Sequence, residues 1–407
     1  MKAKLAIVAV FLVALVVVVV FTLREREQGG AGKDPSAGAA AGSATLLASA
    51  KGKDPAAPAV TISMLYGTEK KDWVEDAAVS FAREHPEIRV TLIGKGSLEG
   101  EQAILDEKEK PTLFSPADSM IMNLLESDWQ TKNKSNLVAP TGSEDAPQTL
   151  VITPLVFVAW EDRANALLKS GNTISWHTIH KAVQSPQGWP TVGGKADWGF
   201  VKLGHTDPTR SNSGVQALYL MSLEFYGKTG GLEVGDLLKP NYQSFVKDIE
   251  KGVQKFESST GTFMTDMVRF GPSKYDISVV YENLAIAQIE NAQGRWGNLK
   301  VYYPGITLWS DHPVALLQGD WVTSEQKQAA RTWIAHLRSR AVQEKALAYG
   351  FRPGDPSVAI KTGDAQNPFT KMAPFGIRVD IPPVARAPEG TVVRNLLTFW
   401  TRSVGPR

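Results

Sequence analysis

The polar loop at residues 201–214 contains the residue types best suited to binding chemistry in this chain. An apolar run precedes the loop, and an amphipathic pattern over 215–226 follows it directly. A strand, a polar loop and a helix in this order present free backbone N–H groups and a positive helix end to a polar or anionic ligand. The side chains that could contact such a ligand are Thr206, Asp207, Thr209, Arg210, Ser211 and Ser213. Alternatively, Ser211, Asn212 and Ser213 serve only as caps that begin the helix.

The sequence lacks the signatures of enzymes and of metal sites. It has no cysteine, which excludes disulfides, thiolate catalysis and thiolate metal ligands. The segment GKGSLEG at 94–100 has Glu99 where a dinucleotide-binding fingerprint needs its third glycine, and no Walker A, G-x-S-x-G or HExxH motif occurs. His177 and His180 lie three residues apart without an acidic partner at ligand spacing, which favours packing or solvent exposure. We therefore predict a protein that is not an enzyme and has no cofactor or metal.

Length and charge limit the protein class further. The 407 residues suffice for two lobes, each with its own core. Lys plus Arg number 44 and Asp plus Glu number 42, so no global field attracts nucleic acid.

Strand and helix patterns alternate from residue 60 onward. Apolar and β-branched runs predict strands at 60–66, 88–93, 111–114, 275–280 and 313–317, and helical periodicity lies between several of them. We expect Thr68 to cap the first helix. The clearest helical stripe spans 324–349 and comprises Ala329, Trp333, Leu337, Ala341, Lys345 and Ala348. This alternation predicts an α/β fold with parallel sheets.

The first 58 residues differ in composition from the rest of the chain. Lys2 and Lys4 precede an apolar run at 5–23 that is about as long as a membrane-spanning helix, and no small-x-small cleavage site follows it. We predict an uncleaved signal anchor at 1–23, with the folded part on the periplasmic or extracellular side; the alternative is a cleaved signal peptide. Residues 24–58 are rich in Gly, Ala and Ser and predict a flexible linker.

Five segments together resemble a known family. They are VTISMLYGTEKKDWVEDAAVSFAREHPEIRVTLIGKGS (60–97), KPTLFSPADS (110–119), KLGHTDPTRSNSG (202–214), SVVYENLAI (278–286) and YYPGITLWSDHPVALL (302–317). In this order they are similar to type II bacterial extracellular (periplasmic) solute-binding proteins, in particular to a group also found beside von Willebrand factor A domains. The resemblance implies two Rossmann-like lobes joined by a hinge, with one ligand between them. Lobe one would comprise 59–153 plus 306–407, and lobe two 154–305.

The resemblance also implies which loops contact the ligand. In lobe one the expected ligand-binding residues are Gly67, Thr68, Glu69, Ser97, Ser115 and Asp118. In lobe two they are Thr206, Asp207, Arg210, Ser211, Asn212, Ser213, Tyr281 and Glu282. Trp309 and Ser310 follow the return crossing. Any one of these residues could instead be a cap or a surface polar group, and their convergence on one rim is what indicates a site.

The sequence leaves the ligand's charge open. Lys95 and Arg210 favour an anionic group, whereas acidic residues such as Glu69 and Asp118 favour a cationic or hydroxyl-rich one. The predicted function is capture of a small polar solute for a membrane importer, with an ABC-type permease as partner. The alternative is a membrane-anchored sensor or assembly protein, with a von Willebrand factor A-domain protein as partner.

Overall fold

The structure, a computed structural model, describes residues 60–169 and 173–405. The predicted signal anchor at 1–23 and the predicted linker at 24–58 lie outside these residues. Within the described ranges no helix is both long enough and apolar enough to cross a membrane.

The described residues form eleven strands and fourteen α-helices. The strands are β1 (Val60–Gly67), β2 (Ile88–Lys95), β3 (Leu113–Ser115), β4 (Gln148–Thr149), β5 (Val151–Trp160), β6 (Leu203–Gly204), β7 (Ile277–Tyr281), β8 (Leu299–Tyr302), β9 (Trp309–Ser310), β10 (Pro313–Leu316) and β11 (Arg352–Pro353). The helices are α1 (Lys71–Glu84), α2 (Ser97–Leu105), α3 (Ser119–Asn133), α4 (Glu161–Leu168), α5 (Trp176–Val183), α6 (Asn212–Tyr226), α7 (Val234–Leu237), α8 (Pro240–Glu250), α9 (Thr260–Phe270), α10 (Glu282–Ala292), α11 (Ser324–Leu337), α12 (Arg340–Ala348), α13 (Pro368–Lys371) and α14 (Gly390–Ser403).

The first lobe is built on a five-stranded sheet with the order β2-β1-β3-β10-β4. β1 runs parallel to β2 and β3, whereas β10 runs antiparallel to β3 and β4. Helices α1 and α11 pack on one another through Phe81 and Trp333, whose rings meet edge to face at 4.9 Å. Because β1 and β3 are parallel neighbours, the loops after Gly67 and Ser115 come together at one edge of the sheet.

The second lobe is built on a sheet with the order β11-β5-β7-β6, in which β8 and β9 also pair with β5. β5 runs antiparallel to β7, β8, β9 and β11, and β6 runs parallel to β7. The predicted α/β architecture is therefore confirmed, but both sheets are mixed rather than purely parallel.

The helix after the polar loop is not amphipathic as predicted. All residues from Asn212 to Leu223 in α6 are buried. The helix contacts α5, α8 and α14 as well as β5 and β7, so no face is left for solvent. The polar side chains of its first turns are consequently inside the protein.

Two other local predictions are wrong. The stripe over 324–349 belongs to two helices, because Ser339 adopts an extended conformation (φ −61°, ψ 147°) between α11 and α12. The break changes which side faces inward, so Val342 and Ala346 are buried while Ala341, Lys345 and Ala348 are exposed. Thr68 does not cap the first helix, because it lies within a 3₁₀ turn, Thr68–Lys70, that precedes α1.

The predicted lobe boundaries remain a prediction. The C-terminal helix α14 contacts α6 and α7 and also α3, so it packs against elements attached to both sheets.

Candidate functional site

Polar side chains from both lobes meet in a buried region at the ends of β1, β3 and β7. We call this region the interlobe cluster; its members are Thr68, Glu69, Lys70, Ser115, Asp118, Asn212, Gln216, Tyr281, Asn283, Ser310 and His312. Two hydrogen bonds join its halves. Gln216 Nε2 donates to Asp118 Oδ2 at 2.7 Å, and Asn283 Nδ2 donates to the Glu69 carbonyl oxygen at 3.1 Å. The structure therefore brings many of the predicted ligand-binding residues together.

Glu69 and Lys70 form an almost fully buried ion pair. Lys70 Nζ lies 2.8 Å from Glu69 Oε1 and also donates to the carbonyl oxygens of Ser115 and Pro116 at 3.0 and 3.3 Å. Burial by itself raises the pKa of Glu69, but Lys70 and then His312 outweigh this and lower the pKa to about 2. Burial lowers the pKa of Lys70. Glu69 is thus ionised at neutral pH, and the pair ties the end of β1 to the loop after β3.

Gly67 allows the Glu69 carboxylate to fold back over the strand end. A Cβ atom at Gly67 would lie 2.3 Å from Glu69 Oε1, which is closer than any real contact of this kind. A side chain at this position would therefore displace the carboxylate from the cluster.

Asp118 performs two tasks at the boundary between the lobes. Its Oδ1 accepts from Met120 N at 2.8 Å and so caps α3, while its Oδ2 accepts from Gln216. Burial and then the neighbouring carboxylate of Asp311 raise the pKa of Asp118 to about 7. A carboxyl group shifted in this way is sensitive to any charge placed beside it.

The first two turns of α6 supply the second-lobe amides. Asn212 Nδ2 donates to the Tyr281 hydroxyl at 3.0 Å and approaches Ser310 Oγ at 3.5 Å. Gln216, one turn later, donates to the same Ser310 Oγ at 2.9 Å. The spacing of four residues thus places both amides on the face of α6 that meets β7 and β9.

A chain of buried hydroxyls lies beside these amides. Thr206 Oγ1 is 2.7 Å from Ser213 Oγ, which is 2.7 Å from Thr260 Oγ1. Ser211 occupies the N-cap position of α6, but its hydroxyl lies 3.2 Å from Thr260 Oγ1 and does not cap the helix. The side-chain cap predicted at Ser211 is therefore not formed, because the Ser211 hydroxyl contacts Thr260 of α9 instead.

Asp207 and Arg210 make their contacts outside the interlobe cluster. Asp207 Oδ1 accepts from the backbone N–H and the hydroxyl of Thr209 at 2.8 and 2.7 Å. Arg210 Nη2 lies 3.1 Å from Glu99 Oε1, and half of its side chain is exposed. Since Glu99 belongs to α2, this ion pair also joins the two lobes.

The carboxylate of Glu282 is bound by the buried side chain of Arg352. The carboxylate accepts from Arg352 Nε and Nη2 at 2.8 and 3.0 Å and from the Tyr303 hydroxyl. Arg352 belongs to β11, so the interaction connects α10 with the C-terminal part of the chain. The side chain therefore makes its polar contacts within the protein.

Ser97 and Trp309 lie at the edge of the cluster. Ser97 Oγ accepts from Ala117 N at 3.0 Å, next to Asp118 in sequence. The Trp309 carbonyl oxygen is 3.4 Å from Gln216 Nε2, whereas its indole ring lies 5.6 Å from the Arg352 guanidinium. Trp309 therefore contributes backbone, not its ring, to the cluster.

Five residues that the structure brings to this region were not predicted from the sequence, namely Lys70, Gln216, Thr260, Asn283 and His312. Gln216 had a usable signal, because it lies one helical turn after Asn212. No spacing in the sequence pointed to His312. Its backbone has a φ of 37°, a left-handed conformation that is uncommon for a residue other than glycine.

Several buried polar atoms of the cluster make no hydrogen bond with any described residue. They are Thr68 Oγ1, Ser115 Oγ, Asn212 Oδ1, Gln216 Oε1, Asn283 Oδ1 and both ring nitrogens of His312. A buried polar atom without a partner costs about 1–3 kcal/mol, so a polar molecule that supplies partners would be stabilised here. This is the chemistry of recognition and not of bond breaking.

Solved structures with the same architecture come from several bacteria. The sulfate-binding protein SubI from Mycobacterium tuberculosis is 15% identical with a TM-score of 0.53, and the match covers 85% of this chain and 98% of that one. The periplasmic binding protein AfuA from Actinobacillus pleuropneumoniae, with bound fructose-6-phosphate, is 13% identical with a TM-score of 0.57 over 86% and 99%. A substrate-binding protein of an ABC transporter from Agrobacterium tumefaciens is 12% identical with a TM-score of 0.53 over 85% and 94%. These likenesses show the two-lobed periplasmic-binding-protein fold.

No curated protein sequence matches the chain significantly. A family model described as bacterial extracellular solute-binding protein matches residues 62–352. This match spans both sheets and confirms the resemblance seen in the sequence. The chain therefore belongs to the bacterial extracellular solute-binding protein family, which is a family of binding proteins and not of enzymes.

Proposed function

We propose that the chain captures a small polar solute between its two lobes outside the cytoplasm and delivers it to an ABC-type membrane importer. The observation that carries this proposal is the interlobe cluster. In it, Gln216 Nε2 of the second lobe lies 2.7 Å from Asp118 Oδ2 of the first lobe. A solute that contacts both lobes favours the closed arrangement over the open one, because only the closed arrangement offers all the contacts.

The orientation of two amides supports a solute that donates hydrogen bonds. Gln216 Nε2 faces the Asp118 carboxylate, and Asn283 Nδ2 faces the Glu69 carbonyl oxygen. Since both partners accept hydrogen bonds, the amide oxygens Gln216 Oε1 and Asn283 Oδ1 remain as acceptors. We therefore favour a polyhydroxylated or amine-bearing solute over a simple oxyanion. SubI is named as a sulfate-binding protein, so the preference of this chain would differ from that of SubI.

A calorimetric screen of the full chain tests the proposal. The panel contains uncharged polyols, amines, sulfate and phosphate. We expect a hit among the polyols or amines, and we expect Gln216→Ala to weaken its binding roughly tenfold or more, as loss of a hydrogen bond in a buried site requires. Gln130→Ala, which removes an exposed glutamine from α3, is the matched control and should leave affinity unchanged.

Two results would contradict the proposal. Binding that survives Gln216→Ala would place the solute elsewhere. Chemical conversion of the solute by the purified chain would contradict a binding role.

A further inference from the structure

A cavity of about 700 Å³ lies where α2 and α3 meet the loop at 209–210 and α14. Its apolar lining includes Leu98, Leu124 and Leu397, one from each of the three helices. No member of the interlobe cluster is among the residues that line it. It is therefore a separate place at which a molecule could bind.

Every basic side chain that lines this cavity already has an acidic partner. The pairs are Lys95–Glu109 at 3.4 Å, Lys108–Asp106 at 2.9 Å, Arg210–Glu99 at 3.1 Å, and Arg394–Asp128. An anion entering the cavity would have to compete with these carboxylates. The lining thus offers no unpaired positive charge.

Among the described residues, Glu101 is the one acidic residue lining this cavity that belongs to none of these four ion pairs. It lies in α2, is 4% exposed, and its Oε1 makes no hydrogen bond with any residue in the described part of the chain. Burial and then Asp128 raise the pKa of Glu101 to about 7, against the opposing effect of Arg394; Asp106 also raises it. A buried carboxyl group without a partner is unfavourable when charged, and a cation placed beside it removes that penalty.

We propose that this cavity binds a small organic monocation with a short apolar chain, such as an alkylammonium ion. The ammonium group pairs with Glu101, and the alkyl chain packs against the three leucines. This ligand class follows from one unpaired carboxyl group that shares a cavity with three leucines. A fully hydrated inorganic cation gains less there, because it buries no apolar area.

Titration calorimetry with n-butylammonium chloride on the full chain tests the site. We expect saturable binding with one site per chain, and proton release near pH 7, because a cation beside Glu101 favours its ionised form. Glu101→Gln should weaken binding roughly tenfold to a hundredfold, the effect of losing a hydrogen bond to a charged group, and should abolish the proton release. The variant should fold at least as well as the natural chain, since it removes an unpaired buried carboxyl group.

Three comparisons make the test decisive. Glu109→Gln alters a carboxylate of the same cavity that is already paired with Lys95, and we expect it to bind the ion normally. Equal heats from 1-butanol would show that only the apolar surface matters, and equal heats from potassium chloride would show a general salt effect. Either result, or full binding by Glu101→Gln, would overturn the proposal. Gln216→Ala, titrated with the same ion, separates this cavity from the interlobe cluster, because Gln216 does not line the cavity and the variant should bind n-butylammonium there normally.

Discussion

Gln216 of α6 donates a 2.7 Å hydrogen bond to Asp118, the residue that caps α3. One carboxylate therefore begins a first-lobe helix and contacts the second lobe at the same time. Its protonation state affects both interactions, because a protonated carboxyl group accepts hydrogen bonds less well than a carboxylate.

Asp118 should make the chain less stable as the pH rises from about 4 to about 7. The pKa is raised from an ordinary value near 4 to about 7 in the folded protein, so over this range the folded state binds more protons than the unfolded state. The free energy of unfolding then falls with increasing pH. Asp118→Asn should remove this part of the slope in urea denaturation at several pH values. Asp197→Asn, at an exposed position, is the control, and equal slopes in both variants would contradict the prediction.

Replacing one member of the buried pair Glu69–Lys70 should reduce the free energy of unfolding more than replacing both members together. Glu69→Gln leaves the Lys70 ammonium buried without its partner and should reduce the free energy of unfolding by about 3–5 kcal/mol. The double variant Glu69→Gln with Lys70→Met should cost less than that single change. The exposed pair Lys71–Glu75, also at 2.8 Å, provides the control and should contribute at most about 1 kcal/mol. A double variant less stable than the Glu69→Gln chain would refute the argument.

Arg210 should affect solute affinity through Glu99. Their ion pair at 3.1 Å joins the lobes but is partly exposed, so we expect Arg210→Ala to weaken solute binding no more than about fivefold. Glu99→Ala should have a similar effect, and the double variant should add little. The competing prediction, direct contact between Arg210 and the solute, requires a loss of roughly tenfold to a hundredfold for Arg210→Ala alone. A double-mutant cycle measured by calorimetry distinguishes the two.

The N-terminal prediction concerns residues outside the described part of the chain. If residues 1–23 are an uncleaved anchor, the protein should sediment with membranes and keep its original N-terminus. Cell fractionation followed by mass spectrometry of the terminal peptide measures both. A mature soluble form that begins between residues 31 and 50 would instead identify a cleaved signal peptide.

Much of the fold could be predicted because it depends on local patterns. Strands such as β1 and β7 are mostly apolar and β-branched runs that end in polar loops, and the sequence shows them directly. The break between α11 and α12 at Ser339 could not be predicted, because the apolar spacing on either side of it fits one long helix as well as two separate helices. Tertiary packing, not the helical pattern, decides which side is buried there.

The candidate site was predictable in its loops but not in its pairings. Glu282 follows a strand at the expected edge, yet Arg352, seventy residues further on, occupies its carboxylate. Nothing in the local sequence around Glu282 indicates that partner. The same holds for Arg210, whose partner Glu99 comes from the other lobe. Pairings of this kind depend on the relative placement of whole elements, which local patterns do not encode.

Gly96 should be needed for the lobes to close. A Cβ atom here would lie 2.4 Å from the Arg210 carbonyl oxygen and 2.7 Å from that of Ser258, both in the second lobe. Gly96→Ala should therefore oppose closure by about 1–3 kcal/mol and weaken solute affinity roughly tenfold, while the fold of each lobe is preserved. Hydrogen exchange should become faster in α2 and in the loop at 205–211. Gly305→Ala is the control, because a Cβ atom at that position meets nothing within 4 Å. Unchanged exchange and affinity in Gly96→Ala would show that binding does not require this contact between the lobes.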